Sequence, residues 1–508
     1  MATRRRMFRL RWAVAVMVVG LSTPPAEARA QSDVAFAPEV HEARRARLFE
    51  AVGRAPVIVP GEYMIRHGGA LKQDLDFWYL TGVESPWALL VMVPGPNGSR
   101  RDVLFLPDAF QFAGAQYPMV DERFRHAAWN RTIRRLAPGP EAEAATGIGE
   151  TYPVDEIARR LPELVGAAGT VHFASHRGPL YLPPGLGSAL SYRQQLEAAV
   201  ADVLPDIGVE NVTPVVRRMR LVKDEHEVAA LRKAAEISAL SLVESLRAIE
   251  PGMNDNELAG LMEYVWKREG SSRTSFGPIV ASGPSAVSLY TLRSENYNPV
   301  DRVMEDGDLV FIDYGAAEWA MYTSDLCRTF PVSGRFTAEQ RRYYEIVLEA
   351  QNAALATIRP GVMMRDVIKA AAGVFQAHGF HEKEDVETMG VEHVWGLMPS
   401  PTYWITQNGE LTDYSGARGT GVRDLGHHIG LDALDGRDYS MPLEPGMVFT
   451  VEPKIYIPDE GIAIMIEDMV LVTEDGYENM SFMAPRTVAD IEAVMAEDNP
   501  FPTGRTLR

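Results

Sequence analysis

The chain has 508 residues, of which 46% are hydrophobic and 23% charged, a globular composition too long for one ordinary core. Its formal net charge is −19 at pH 7, and no basic stripe offsets it, which argues against a nucleic-acid partner and against anionic membrane surfaces. Cys327 is the single cysteine, so no intrachain disulfide can form.

Residues 1–30 read as an export address. Arg4, Arg5, Arg6, Arg9 and Arg11 precede the apolar run Trp12–Leu21, and Ala28-Arg29-Ala30 supplies small residues for cleavage before Gln31. The run of about ten residues falls short of the roughly 20 that a spanning helix needs. The expected mature protein is therefore periplasmic or secreted, with no stable membrane insertion after cleavage.

Residues 31–210 are predicted to form a mixed-sheet α/β domain. Glu39–Glu50 reads as an amphipathic helix, strands follow at Pro56–Pro60, Ala88–Pro94 and Asp102–Pro107, and helix–strand alternation continues to about residue 205. The aromatic run from Asp76 to Gly82 has the composition of core or of a subunit contact.

A second unit spans 215–487, followed by a tail at 488–508. From Asp224 onward, Val228, Leu231, Ala235, Leu242, Leu246 and Ile249 keep helical spacing until Pro251-Gly252, and Glu257–Glu269 continues as a second helix. The pattern recurs 109 residues later, with helices at Glu339–Ile358 and Asp366–His378 flanking Pro360-Gly361. A second echo, at offset 139, sets Glu305–Asp313 against Glu444–Glu452. Each is a turn followed by an apolar strand that ends on a carboxylate, so the unit reads as two related halves.

Strand alternation places Leu309, Phe311 and Asp313 on one face. Asp325 lies on the return strand of the expected hairpin, and Glu452 and Glu467 hold comparable places in the second half. Two like charges about 4 Å apart repel by roughly 4 kcal/mol at an effective dielectric near 20, which protonation or bound cations must relieve. His427 adds an imidazole between glycine-flanked neighbours. Four carboxylates and one imidazole suit two divalent ions, manganese first, with cobalt, zinc or iron as alternatives.

These segments resemble the pita-bread metallopeptidases, the family of aminopeptidase P, prolidase and methionine aminopeptidase. The resemblance is carried by Ile312–Gly315, Ser324–Phe330, His427 with Ile429–Asp432, Thr450–Pro453 and Ile466–Asp468. Glu39–Leu48 and Phe77–Gly82 are similar to the N-terminal domain of aminopeptidase P. The fold class is then α/β (α+β), with a pseudo-symmetric pita-bread domain after the mixed-sheet domain. The resemblance implies metal ligation by Asp313, Asp325, His427, Glu452 and Glu467, and a metal-activated hydroxide attacking the bond before proline in short peptides. It gives Glu452 a further role as proton shuttle and implies a homodimer or homotetramer.

The chain departs from the family around the metal. Tyr290 and Leu434 stand where substrate-side histidines are usual, Arg423 precedes His427 by four, and Met465 replaces an arginine before Glu467. Tyr290, His428 and His393 are the candidate substitutes. Two further readings follow: a metal-dependent dipeptidase or amidohydrolase with non-proline substrates, and a weakly active pita-bread binding protein.

Overall fold

The computed structural model describes residues 36–62, 72–107, 136–166, 168–174, 180–181, 187–271, 273–274, 276–286, 302–315, 318–382, 394–395, 403–405, 411–413, 425–435, 441–457, 460–499 and 501. The export segment, Tyr290, His393 and Arg423 lie outside them. No helix among the described residues is long and apolar enough to cross a membrane.

In the N-terminal region, the expected helix forms at Pro38–Ala51, and a six-stranded mixed sheet follows. Its order is Glu150–Pro153, Arg100–Leu106, Leu89–Pro94, Val57–Pro60, Thr170–Phe173 and Gly208–Asn211. The three middle hairpin strands pair antiparallel, and the outer pairings are parallel. Strand alternation divides the sheet cleanly. Ile58, Leu89, Val91, Val103 and Phe105 pack with Leu161 and Val200 on one face. Val57, Val59, Leu90, Met92 and Leu104 face the other way, in a core that continues through Phe77 and Trp78 to Tyr322, Ile429 and Val448 of the second unit.

The aromatic run forms the buried helix Leu75–Thr81, capped by the Asp74 carboxylate at Phe77 N–H and closed by left-handed Gly82. Its residues lie between the two units. The Trp78 ring meets Tyr322 edge-on at 5.9 Å. Arg220 bridges Asp76, in this helix, to Asp435, five residues beyond Gly430.

In the second unit, Asp224 and Glu227 cap each other's backbone N–H groups and start the helix Glu225–Ala248. Thr337 and Gln340 do the same for Ala338–Leu355. The strands Leu326–Pro331, Leu309–Tyr314 and Ile279–Ser282 form one antiparallel sheet, and Val448–Val451, Asp468–Val472 and Tyr477–Asn479 form another. Lys454–Ile457 pairs with Ile462–Met465 in a third. Val310, Ile312 and Tyr314 pack with Ile237 and Leu242 from the long helix, so the opposite face of the strand carries Asp313.

Two expectations shift. Asp325 stands immediately before the return strand, which begins at Leu326. Glu467 lies between two strands, Ile462–Met465 and Asp468–Val472, rather than within one. There its backbone bridges to Cys327 of the return strand, and the residue is buried.

Candidate metal centre

Asp313 is opposite Cys327 on the return strand and opposite Ile279 on the other side. The segment leading to Asp325 is fixed from several directions. The Ser324 and Ser238 hydroxyls lie 2.6 Å apart, the Thr323 hydroxyl donates to Gly315 O at 3.1 Å, and Thr323 N–H donates to Gly430 O at 2.9 Å. That last bond ties the aspartate segment to the histidine loop.

The histidine loop is zipped along Val448–Val451. His427 N–H donates to the Thr450 hydroxyl at 3.1 Å, Thr450 N–H donates to His427 O at 2.9 Å, and Glu452 N–H donates to Leu425 O at 2.7 Å. Gly426 permits this approach, because a Cβ there would strike the Thr450 carbonyl. Glu467 is placed by its own N–H donating to Cys327 O at 3.0 Å. Arg328, wholly buried, donates to the Glu467 and Cys327 carbonyls and to Asp468 Oδ1 at 2.6 Å.

These struts bring ligand atoms of Asp325, His427 and Glu467 within 4.8 Å of one another, all three buried. His427 Nε2 lies 3.4 Å from Asp325 Oδ2 and 3.7 Å from Glu452 Oε1. Glu452 adjoins this group of three through His427, and Asp313 acts on Glu467 by its charge. Burial pushes the Glu467 carboxyl well up from its ordinary value, and the charges of Asp325, Glu452 and Asp313 push it further. Burial likewise raises Asp325, opposed by its hydrogen bond to His427. Asp325 Oδ1 and Glu467 Oε2 are buried with no hydrogen-bond partner among the described residues. Orphaned carboxylate oxygens of this kind cost several kcal/mol in order of magnitude unless a cation meets them. The donor set, acid oxygens with one imidazole, therefore fits divalent metal.

His428 follows His427 with its backbone bridged to Phe449, and its ring lies edge-on to Phe449 at 6.1 Å. It is 1% exposed, so the structure gives this candidate substrate residue a packed environment instead of an open one.

The sequence reading missed Lys454. Its Nζ donates to Glu452 Oε2 at 2.6 Å, and the residue is 6% exposed. The available signal was a lysine two residues past an acid, at the start of an otherwise apolar strand. Arg328 was also missed as a strut, although it lies within a segment quoted for its aspartate.

Residues 229–474 match metallopeptidase family M24, and residues 41–172 match the aminopeptidase P N-terminal domain. Fold and site thus define a pita-bread metallopeptidase. The chain is 31% identical to Xaa-Pro aminopeptidase of Escherichia coli (strain K12) over 84% of its length and 89% of that protein's. The structure of Pseudomonas aeruginosa aminopeptidase PepP superposes with a TM-score of 0.70 at 27% identity, covering 91% of this chain and 99% of that one. Zinc-substituted E. coli aminopeptidase P in complex with product gives 0.67 at 27% identity, with the same coverage. The chain belongs to the aminopeptidase P family and is a metallo-aminopeptidase.

Proposed function

We propose that the protein is an exported Xaa-Pro aminopeptidase, cleaving the bond before proline in short peptides with two divalent ions held by Asp313, Asp325, His427, Glu452 and Glu467. The observation that carries this reading is the pair of orphaned, buried oxygens on Asp325 and Glu467 beside His427, in a chain aligned with a curated Xaa-Pro aminopeptidase over 84% of its length. Manganese is the first candidate, with cobalt, zinc or iron as alternatives. Bound ions would supply a water of lowered pKa and polarise the scissile carbonyl.

The remaining chemistry belongs to side chains. Glu452 is oriented through both oxygens, Oε1 by the Thr450 hydroxyl at 3.4 Å and Oε2 by Lys454. A carboxylate so fixed can take the proton of the attacking water and return it to the departing amine as the C–N bond breaks. Export rests on the sequence of residues 1–30, and a homodimer or homotetramer on the family resemblance. N-terminal sequencing of the exported protein should begin at Gln31, and light scattering should give two or four chains.

One observation favours a second reading. Leu434 stands where the family resemblance implies a substrate-side histidine, and the residue is 50% exposed, with no proton to offer. A dipeptidase or amidohydrolase with non-proline substrates would tolerate that change. Hydrolysis of matched Xaa-Pro and Xaa-Ala peptides with added manganese separates the two. Strong Xaa-Pro preference supports the first reading, equal or reversed preference supports the second, and no hydrolysis of either leaves the binding protein.

A further inference from the structure

The tip of the aspartate hairpin is held in an unfavourable backbone conformation. Trp319 and Tyr322 pair across a two-residue turn, Trp319 N–H donating to Tyr322 O at 2.7 Å and Tyr322 N–H to Trp319 O at 2.9 Å. The turn residues Ala320 (φ 49°) and Met321 (φ 70°) are both left-handed, a conformation that a Cβ disfavours. Such a backbone persists only where its surroundings over-determine it. Asp325 follows Tyr322 by three residues, so the shape of this turn is carried directly into the metal centre.

Arg273 supplies those surroundings. Its segment runs along the hairpin: a Cβ at Gly315 would strike the Phe276 ring, and Glu318 N–H donates to the Ser271 hydroxyl at 3.0 Å. The guanidinium donates to the buried Glu318 carboxylate through Nε at 2.8 Å, to Met321 Sδ at 3.0 Å and to Glu84 Oε2 at 2.6 Å. Glu84 belongs to the N-terminal unit, two residues after Gly82. One cation thus ties the left-handed turn, and the residue leading into it, to the neighbouring unit.

We propose that Arg273 is a positioning residue for Asp325, anchoring the hairpin tip to Glu84 of the N-terminal unit in the shape that delivers the carboxylate to the metal centre. This rests on Asp325 being a metal ligand, as read above. Without the bridge, the two left-handed residues relax and Asp325 Oδ2 loses its fixed place 3.4 Å from His427 Nε2.

The test is calorimetric titration of metal-stripped full-length protein with Mn²⁺, alongside urea unfolding without metal and steady-state peptide hydrolysis. Arg273→Met should weaken Mn²⁺ binding by the folded protein about tenfold. It should also lower kcat more than it raises KM. Glu84→Ala, at the far end of the bridge, should act in the same direction by about threefold, and it serves if the methionine variant does not fold. Adding Ala320→Gly, which accepts φ 49° at no steric cost, should recover most of the lost affinity in either background. A bridge that only stabilises the fold would ease urea unfolding, yet leave kcat and the Mn²⁺ affinity of the folded protein unchanged. That result, or no recovery by Ala320→Gly, would overturn the inference while leaving the ligand reading intact. Wild type that binds no Mn²⁺ would instead sink both.

Discussion

The two halves of the catalytic unit share a framework and differ in what they hang on it. Each long helix ends before a Pro-Gly turn, with Gly252 at φ 93° and Gly361 at φ 85°. Each carboxylate-bearing strand follows a glycine turn, Gly307 at φ 91° and Gly446 at φ 90°. The first half then runs as one uninterrupted hairpin, Leu309–Tyr314 against Leu326–Pro331, and contributes two aspartates. The second splits into two sheets and contributes a histidine, two glutamates and a lysine. The framework can repeat because it is backbone geometry. The centre is not symmetric: among the described residues, the lysine paired with its carboxylates, Lys454 on Glu452, comes from the second half.

The largest effect should come from breaking the shared centre from the first half. Asp325→Asn removes one negative charge while leaving the hairpin core unchanged. Hydrolysis should fall at least about a hundredfold, and metal content measured by elemental analysis should drop by one ion or more. Wild-type metal content with wild-type turnover would refute the ligand assignment.

Next comes the strut that joins the halves. Arg328 of the first half and Asp468 of the second form an ion pair in which both side chains are 0% exposed. Arg328→Met leaves Asp468 and the Cys327, Glu467, Ala484 and Pro485 carbonyls short of a donor, and should cost about 3–5 kcal/mol in urea unfolding. Adding Asp468→Leu should recover much of that loss. A single-variant cost below about 1 kcal/mol would mean that the halves are held together by their apolar core alone.

The helix caps give a smaller, pH-dependent contrast. The first half uses Glu227 where the second uses Gln340. Burial pushes the Glu227 carboxyl up from 4.5 to about 7. The folded chain therefore holds a proton that the unfolded chain has lost, so this contribution is full below the unfolded value and disappears as pH rises through about 7. Glu227→Gln, which makes the first cap like the second, should flatten melting temperature against pH in that window. The expected size is about 2–3 kcal/mol. An unchanged slope would place the pH dependence elsewhere.

The turn glycines separate conformational from steric cost. A Cβ at Gly307 would meet open space, whereas at Gly446 it would lie 2.9 Å from the Lys223 carbonyl. Gly307→Ala should cost about 1–2 kcal/mol for the left-handed backbone alone. Gly446→Ala should cost more by about 1 kcal/mol. Equal losses would show that the Val222–Lys223 segment moves aside freely.

Much of this was legible without coordinates, because it depends on short-range pattern. Helical spacing from Val228 to Leu246, the Pro-Gly stops and the alternation of Leu309, Phe311 and Asp313 are local properties of the chain. They located the elements to within a few residues, and the repeated turn-strand-carboxylate pattern singled out the acids. What the sequence could not decide was which way distant segments meet. The sequence reading assigned Asp76–Gly82 to core or subunit contact without saying which. Its burial between the units depends on Tyr322, about 240 residues away, and on Arg220 joining Asp76 to Asp435. Glu467 was read as lying inside a strand. Only the bridge to Cys327 puts it between two sheets, where Arg328 holds its carbonyl. Lys454 carried no reading from the sequence, and only the folding of its strand beside Glu452 makes it a buried cation at the metal centre. Periodicity encodes an element and the face it buries; charge pairing across hundreds of residues is set by packing, which no local pattern contains.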